Sequence, residues 1–208
     1  MGELRKAIKT PFGIFFILLW ASMLWTISCA TVPELRVEYR VPEASSILEG
    51  REISLAFEDI RTNKEILGPG AKKDFKGFAG NIALSIAHGD EKGFRVGLYD
   101  IQSLFLELFR KRCETLGIKI VPKGKIIQNH IVIALKELSL DLDNRKWIAK
   151  MSYEARLMND DRMVKKQMIS GQTDHVKIVG RAQADKVMGD IFTDLINKLD
   201  ITKLLQET

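Results

Sequence analysis

Two cysteines and three histidines have the widest chemical reach in this 208-residue chain. Cys29 closes an uncharged apolar run, Ile14–Ser28, and the chain turns polar soon after it. A thiol in that place is a processing target, half of a disulfide or a buried small hydrophobe. Cys113 lies on the apolar side of an amphipathic stretch, where free cysteine packs like an aliphatic side chain. His88, His130 and His175 form no H-E-x-x-H run and flank no cysteine at zinc spacing, so no metal and no cofactor is expected. Asp141, Asp143 and Asn144 offer oxygens at calcium-loop spacing but lack the glycine and the distal glutamate, and turn chemistry accounts for them. Glu58 and Asp59 are neighbours at the end of a strand and point to opposite faces, which is poor geometry for acid–base work. The stretch "GPGAKKDFKG" lacks the spacing of a phosphate loop. No catalytic residue is expected, and the chain reads as a non-enzyme.

The elements that position Cys29 come first. Residues 1–13 are short, polar and net positive, and residues 14–28 carry no charge. That order is a secretory signal peptide. An apolar run of this length falls short of the roughly 20 residues that span a bilayer. "Thr26-Ile27-Ser28-Cys29" resembles the bacterial lipobox: Ser28 fits the position before the cysteine, and Thr26 stands where leucine is usual. The resemblance implies cleavage before Cys29 and acylation of its thiol and new amino group. The membrane is then a partner through acylated Cys29. By the same resemblance, Ala30, not being aspartate, implies the outer membrane of a Gram-negative cell, facing the periplasm. Two other readings stay open: a short membrane anchor, and a disulfide between Cys29 and Cys113 in an oxidising compartment.

With 46% hydrophobic residues, the remainder of the chain suits one domain of about 150–200 residues. The net charge is +5, of which Glu3, Arg5, Lys6 and Lys9 supply +2. The rest is spread thinly, with no basic cluster interleaved with aromatics, so nucleic acid is excluded as a partner. An anionic partner such as a phosphate-bearing lipid stays open.

Patterning divides the chain into a signal peptide at 1–28, a tether at 29–50 with an edge strand at 35–41, and a single domain at 51–208. Residues 51–61 alternate with period two and read as a strand. Residues 62–96 are glycine-rich and lack clear periodicity, apart from a short strand at 81–87. This is the pattern of a functional loop, and Gly68, Gly70, Phe75 and Phe78 are its candidate interaction residues. A helix is predicted over 98–117 and a short strand over 118–121. Three strands follow at 126–140, 147–158 and 162–174, a meander with one wet face, and parity flips near Lys136–Glu137 as at a bulge. A second helix is predicted over 181–205. Gly189 inside it costs about 1 kcal/mol against alanine, which a close neighbour would explain. The expected fold is α+β: a two-layer sandwich of a mainly antiparallel sheet of about four to six strands, with two amphipathic helices on one face.

The mature chain resembles the YajG-type family of bacterial lipoproteins. The parts that carry the resemblance are "ISLAFEDIR" with the glycine-containing loop after it, the helix ending "LGIKIV", "IVIALKELSL" turning into "WIAKMSYEARL", and "ISGQTD" before the last helix. It implies an envelope lipoprotein and supplies no catalytic residues. The function expected is therefore a non-enzymatic accessory or interaction module with an envelope protein partner. The alternatives are an auxiliary lipoprotein of a lipid or lipopolysaccharide ABC transport system and, third, a lipid-anchored hydrolase.

Overall fold

A computed structural model describes residues 33–122, 129–160 and 162–206, so the signal segment and Cys29 lie outside the described residues. The packed body begins at Pro33. Its first strand, β1 (Leu35–Val41), keeps Leu35, Val37 and Tyr39 fully buried, while Arg36 and Arg40 face water. The strand predicted at 35–41 is thus present but does not belong to a tether. Three large apolar side chains on one face of a strand would not be left in solvent when a core can take them.

Two sheets share that core. β1 runs parallel to β3 (Ile82–His88), which pairs antiparallel with β4 (Phe94–Tyr99). The larger sheet is built from β2 (Glu52–Asp59), β5 (Lys119–Ile120), β6 (Asn129–Asp143), β7 (Lys146–Asn159) and β8 (Arg162–Val176), in the order β5-β2-β6-β7-β8. β6, β7 and β8 form the predicted antiparallel meander, and the register shifts between Leu135 and Glu137, where the parity flip placed a bulge. β2 joins the meander in parallel with β6 and carries β5, also parallel, on its other edge. The α+β sandwich is as expected, while its strands divide between two sheets of three and five.

The region expected as a long loop at 62–96 carries more regular structure than the one strand expected in it. It holds α1 (Pro69–Asp74), all of β3 and the start of β4. β3 is the short strand expected at 81–87, and it is buried on both faces: Ala83 and Ala87 are as dry as Ile82, Leu84 and Ile86.

The first of the two amphipathic helices is capped by a side chain at its start. α2 (Ile101–Glu114) begins later than predicted, since Leu98 and Tyr99 belong to β4. The Asp100 carboxylate accepts the Ser103 N–H at 2.7 Å and fixes the helix start. The last helix is interrupted after α3 (Ala182–Lys198), and Asp200 caps a separate turn, α4 (Ile201–Leu205), by accepting the Lys203 N–H at 2.8 Å. Phe105 of α2 packs between Phe57 and Phe192, with ring centroids 5.3 and 5.4 Å away, and Phe109 meets Tyr153 edge-on at 5.4 Å.

α3 lies along the open edge of β1. A Cβ on Gly189 would stand 2.9 Å from the Glu38 carbonyl oxygen, so glycine is what permits this approach. The Arg40 N–H donates to Thr193 Oγ1 at 3.1 Å, and Asn197 Nδ2 donates to the Arg40 carbonyl at 3.1 Å. Covering an edge in this way blocks unwanted strand pairing.

Candidate functional site

The side chains with chemical reach are placed apart, and packing accounts for each. Cys113 is a free thiol sealed in the core, and burial pushes it up to about 12, far from the range of a reactive thiolate. His175 Nε2 lies 2.7 Å from Asp190 Oδ2. Among the described residues no three His, Cys, Asp or Glu side chains come together as a metal site. Asp59 grips the buried Arg61 guanidinium through both carboxylate oxygens, at 3.0 and 2.8 Å, which holds its carboxyl well below the usual range. Asp141 is a structural clasp: its carboxylate accepts the N–H groups of Gly70 at 2.9 Å and Ala71 at 3.1 Å and ties α1 to the end of β6. Asn144 and Arg145 follow with positive φ, completing the predicted turn.

The candidate interaction residues sit on this clasp rather than on an open loop. A Cβ on Gly68 would collide with the Asp141 carboxylate, and one on Gly70 with the Leu142 carbonyl. Phe75 is buried, edge-on to Trp147 at 5.9 Å and to Phe78 at 6.3 Å. Phe78 is half-buried and lines a cleft of about 430 Å³ beside Ile66 and Lys72. Of the four, Gly68, Gly70 and Phe75 have packing roles: the polar backbone of α1 needs Asp141 at close range, and Phe75 closes the core beneath it.

Three surface features are not explained by packing. A cleft of about 730 Å³ opens between α2 and the β2–β5 edge, floored by Leu55 and Ile120 and rimmed by Ser103, Glu107 and Arg110. Its arginine is already engaged by Glu107 at 2.5 Å and Glu114 at 2.6 Å. The outer face of the large sheet carries a charge network centred on Glu154, only 6% exposed, which meets Arg156 at 2.6 Å, Lys136 at 3.4 Å and Lys166 at 3.8 Å.

The third feature is one end of the molecule, where four segments meet around the Phe75 ring. Arg181 stacks over that ring at 5.1 Å. Lys177 pairs with Asp74, lies 5.4 Å from the centre of the Trp147 ring, and donates its N–H to the Arg145 carbonyl at 2.8 Å. Pro33, where the described chain starts, comes within 3.9 Å of a Cβ placed on Gly77. The sequence offered no signal for this assembly, since its members are far apart along the chain.

No family model matches the chain, and no curated protein matches it. Solved structures do. The protein XCC0632 from Xanthomonas campestris, described under the family model DUF330, overlays with a TM-score of 0.52 at 11% identity, covering 82% of this chain and 95% of that one. A minor lipoprotein from Acinetobacter baumannii reaches a TM-score of 0.35 at 7% identity, over 49% and 85% of the two chains. The PelC dodecamer from Paraburkholderia phytofirmans reaches 0.39 at 10% identity, over 79% and 95%. Below a TM-score of 0.5 the last two likenesses carry no weight. What stands is a shared fold: this chain and the Xanthomonas protein arrange most of their length in the same α+β sandwich.

Proposed function

We propose that the protein is a lipid-anchored bacterial envelope lipoprotein that serves as a non-enzymatic accessory or interaction module. The observation that carries the reading is the position of Cys29. It ends a charged-then-apolar leader in a lipobox-like tetrapeptide, and only Ala30, Thr31 and Val32 separate it from the packed body at Pro33. Among the described residues no helix is long and apolar enough to cross a membrane, so attachment falls to the leader or to the lipid on Cys29. Several acyl chains on one residue hold a protein firmly where one chain would not. Ala30 supports the outer membrane as the destination, facing the periplasm. The partner on that face is an envelope protein.

The anchoring is tested by replacing Cys29 with serine in the full-length protein. Labelling with a radioactive or clickable fatty acid should disappear, and the leader should remain uncleaved. Unchanged labelling and processing would sink the reading. The module role is tested by crosslinking in membranes followed by purification of the acylated protein. One stoichiometric envelope partner is expected, and the absence of any specific adduct across detergents counts against it.

A further inference from the structure

We infer that the end of the domain around Phe75 is a membrane-apposing surface, built to lie against a bilayer carrying anionic headgroups. The inference rests on the anchored reading above. It begins with length. If Cys29 carries the acyl chains, its backbone sits at headgroup level. The four residues from Cys29 to Val32 extend at most about 14 Å. Pro33 therefore stays within that distance of the headgroups, and the groups around it are free to approach to within the Debye length of about 8 Å at physiological salt. The anchor selects one end of the domain for the membrane before any contact is made.

That end carries the groups such a surface needs. Ile178 and Val179 are adjacent apolar residues, 75% and 80% exposed, at the tip of the connection between β8 and α3. A single exposed aliphatic residue is ordinary; two side by side, at a tip flanked by Lys177 and Arg181, are not. Tied to the same end are the exposed Lys73 and Lys76, which flank Asp74 and Phe75 beneath Lys177 and Arg181, and Arg145, whose carbonyl accepts the Lys177 N–H; among the described residues none of the three has a carboxylate within ion-pair distance. Asp143, in the same turn as Arg145, offsets one of these charges. The tip is fixed rather than dangling: Lys177 is tied to Asp74 and to the Arg145 carbonyl, and Arg181 is stacked on Phe75. Apolar tips among cations match an interface where acyl chains lie beneath phosphates. Tethering makes even weak contacts effective, because the surface is never far from the bilayer.

The test uses the full acylated protein in vesicles of phosphatidylethanolamine and phosphatidylglycerol. Ile178→Cys and, as reference, Ile47→Cys are labelled separately with a nitrobenzoxadiazole maleimide; Cys113 is too buried to react. Ile47 is similarly exposed, at 66%, but lies beyond the far end of β1. Emission at 178 should shift to the blue and lose severalfold more intensity than at 47 to headgroup-labelled quenching lipids. A Lys73→Glu, Lys76→Glu pair should reduce that difference while leaving acyl labelling unchanged. Equal quenching at 178 and 47 on an acylated sample overturns the inferred surface alone. Shielding of 178 that appears only with a co-purified protein also overturns it, assigning the end to that protein. Loss of acyl labelling itself falls on the anchoring reading, at a separate readout, and takes this surface with it.

Discussion

Glu154 shows how much a single residue's neighbours decide. In sequence it is one polar position on the wet face of a strand. In the fold it is nearly buried among Arg156, Lys136 and Lys166. Hydrogen bonds from Arg156 chiefly, and then from Lys136, hold its carboxyl below the usual range. A carboxyl lowered on folding adds stability that is present above its unfolded value of about 4.3 and is lost as pH falls through the folded value. Glu154→Gln should therefore flatten the acid limb of the stability curve. Denaturant midpoints from about pH 5 down to pH 3 are the measurement. If wild type and variant fall in parallel across that window, the network does not couple to folding. The sequence could not place this residue, because Lys136, Arg156 and Lys166 come to it from three strands.

At the scale of elements, Gly189 was legible in kind but not in partner. A glycine inside an amphipathic helix implied a close neighbour, and the neighbour is the backbone of β1 at Glu38. Gly189→Ala sets two effects against each other. Helix propensity gains about 1 kcal/mol. A Cβ driven against a fixed strand backbone costs about 1–3 kcal/mol and loosens the bonds that join the Arg40 backbone to Thr193 and Asn197. The second effect wins, so the variant should be less stable, read as a lower urea midpoint with an unchanged slope. A rise in midpoint would mean that α3 and β1 separate at no cost. The helix α1 makes the opposite point about legibility. Six residues are under two turns, too short for a helical period to show, so it looked like part of a loop.

For the whole molecule, the short link between Cys29 and Pro33 matters most. Under the proposed anchoring, it makes the lipid a constraint on which way the domain faces. A long Gly-Ser spacer inserted before Pro33 should lower the effective concentration of the Phe75 end at the bilayer. Lipid quenching of a label at position 178 should then weaken, with acyl labelling unchanged. Equal quenching in native and lengthened proteins would show that the link has no say in how the domain meets the membrane.

The sequence by itself carries the proposal of a leader and its cysteine, and it determined the antiparallel meander with its bulge and the two amphipathic helices. All of these are written in local order: charge followed by apolar run, period two, and steps of three and four. Only the tertiary structure decided that Leu35–Val41 belongs to the core, that the strands divide into two sheets, and that Lys73, Arg145, Ile178 and Pro33 share one end. Parallel pairings such as β1 with β3, and a cluster gathered from four distant segments, are set by which apolar faces can bury one another across the chain. No local pattern records that choice.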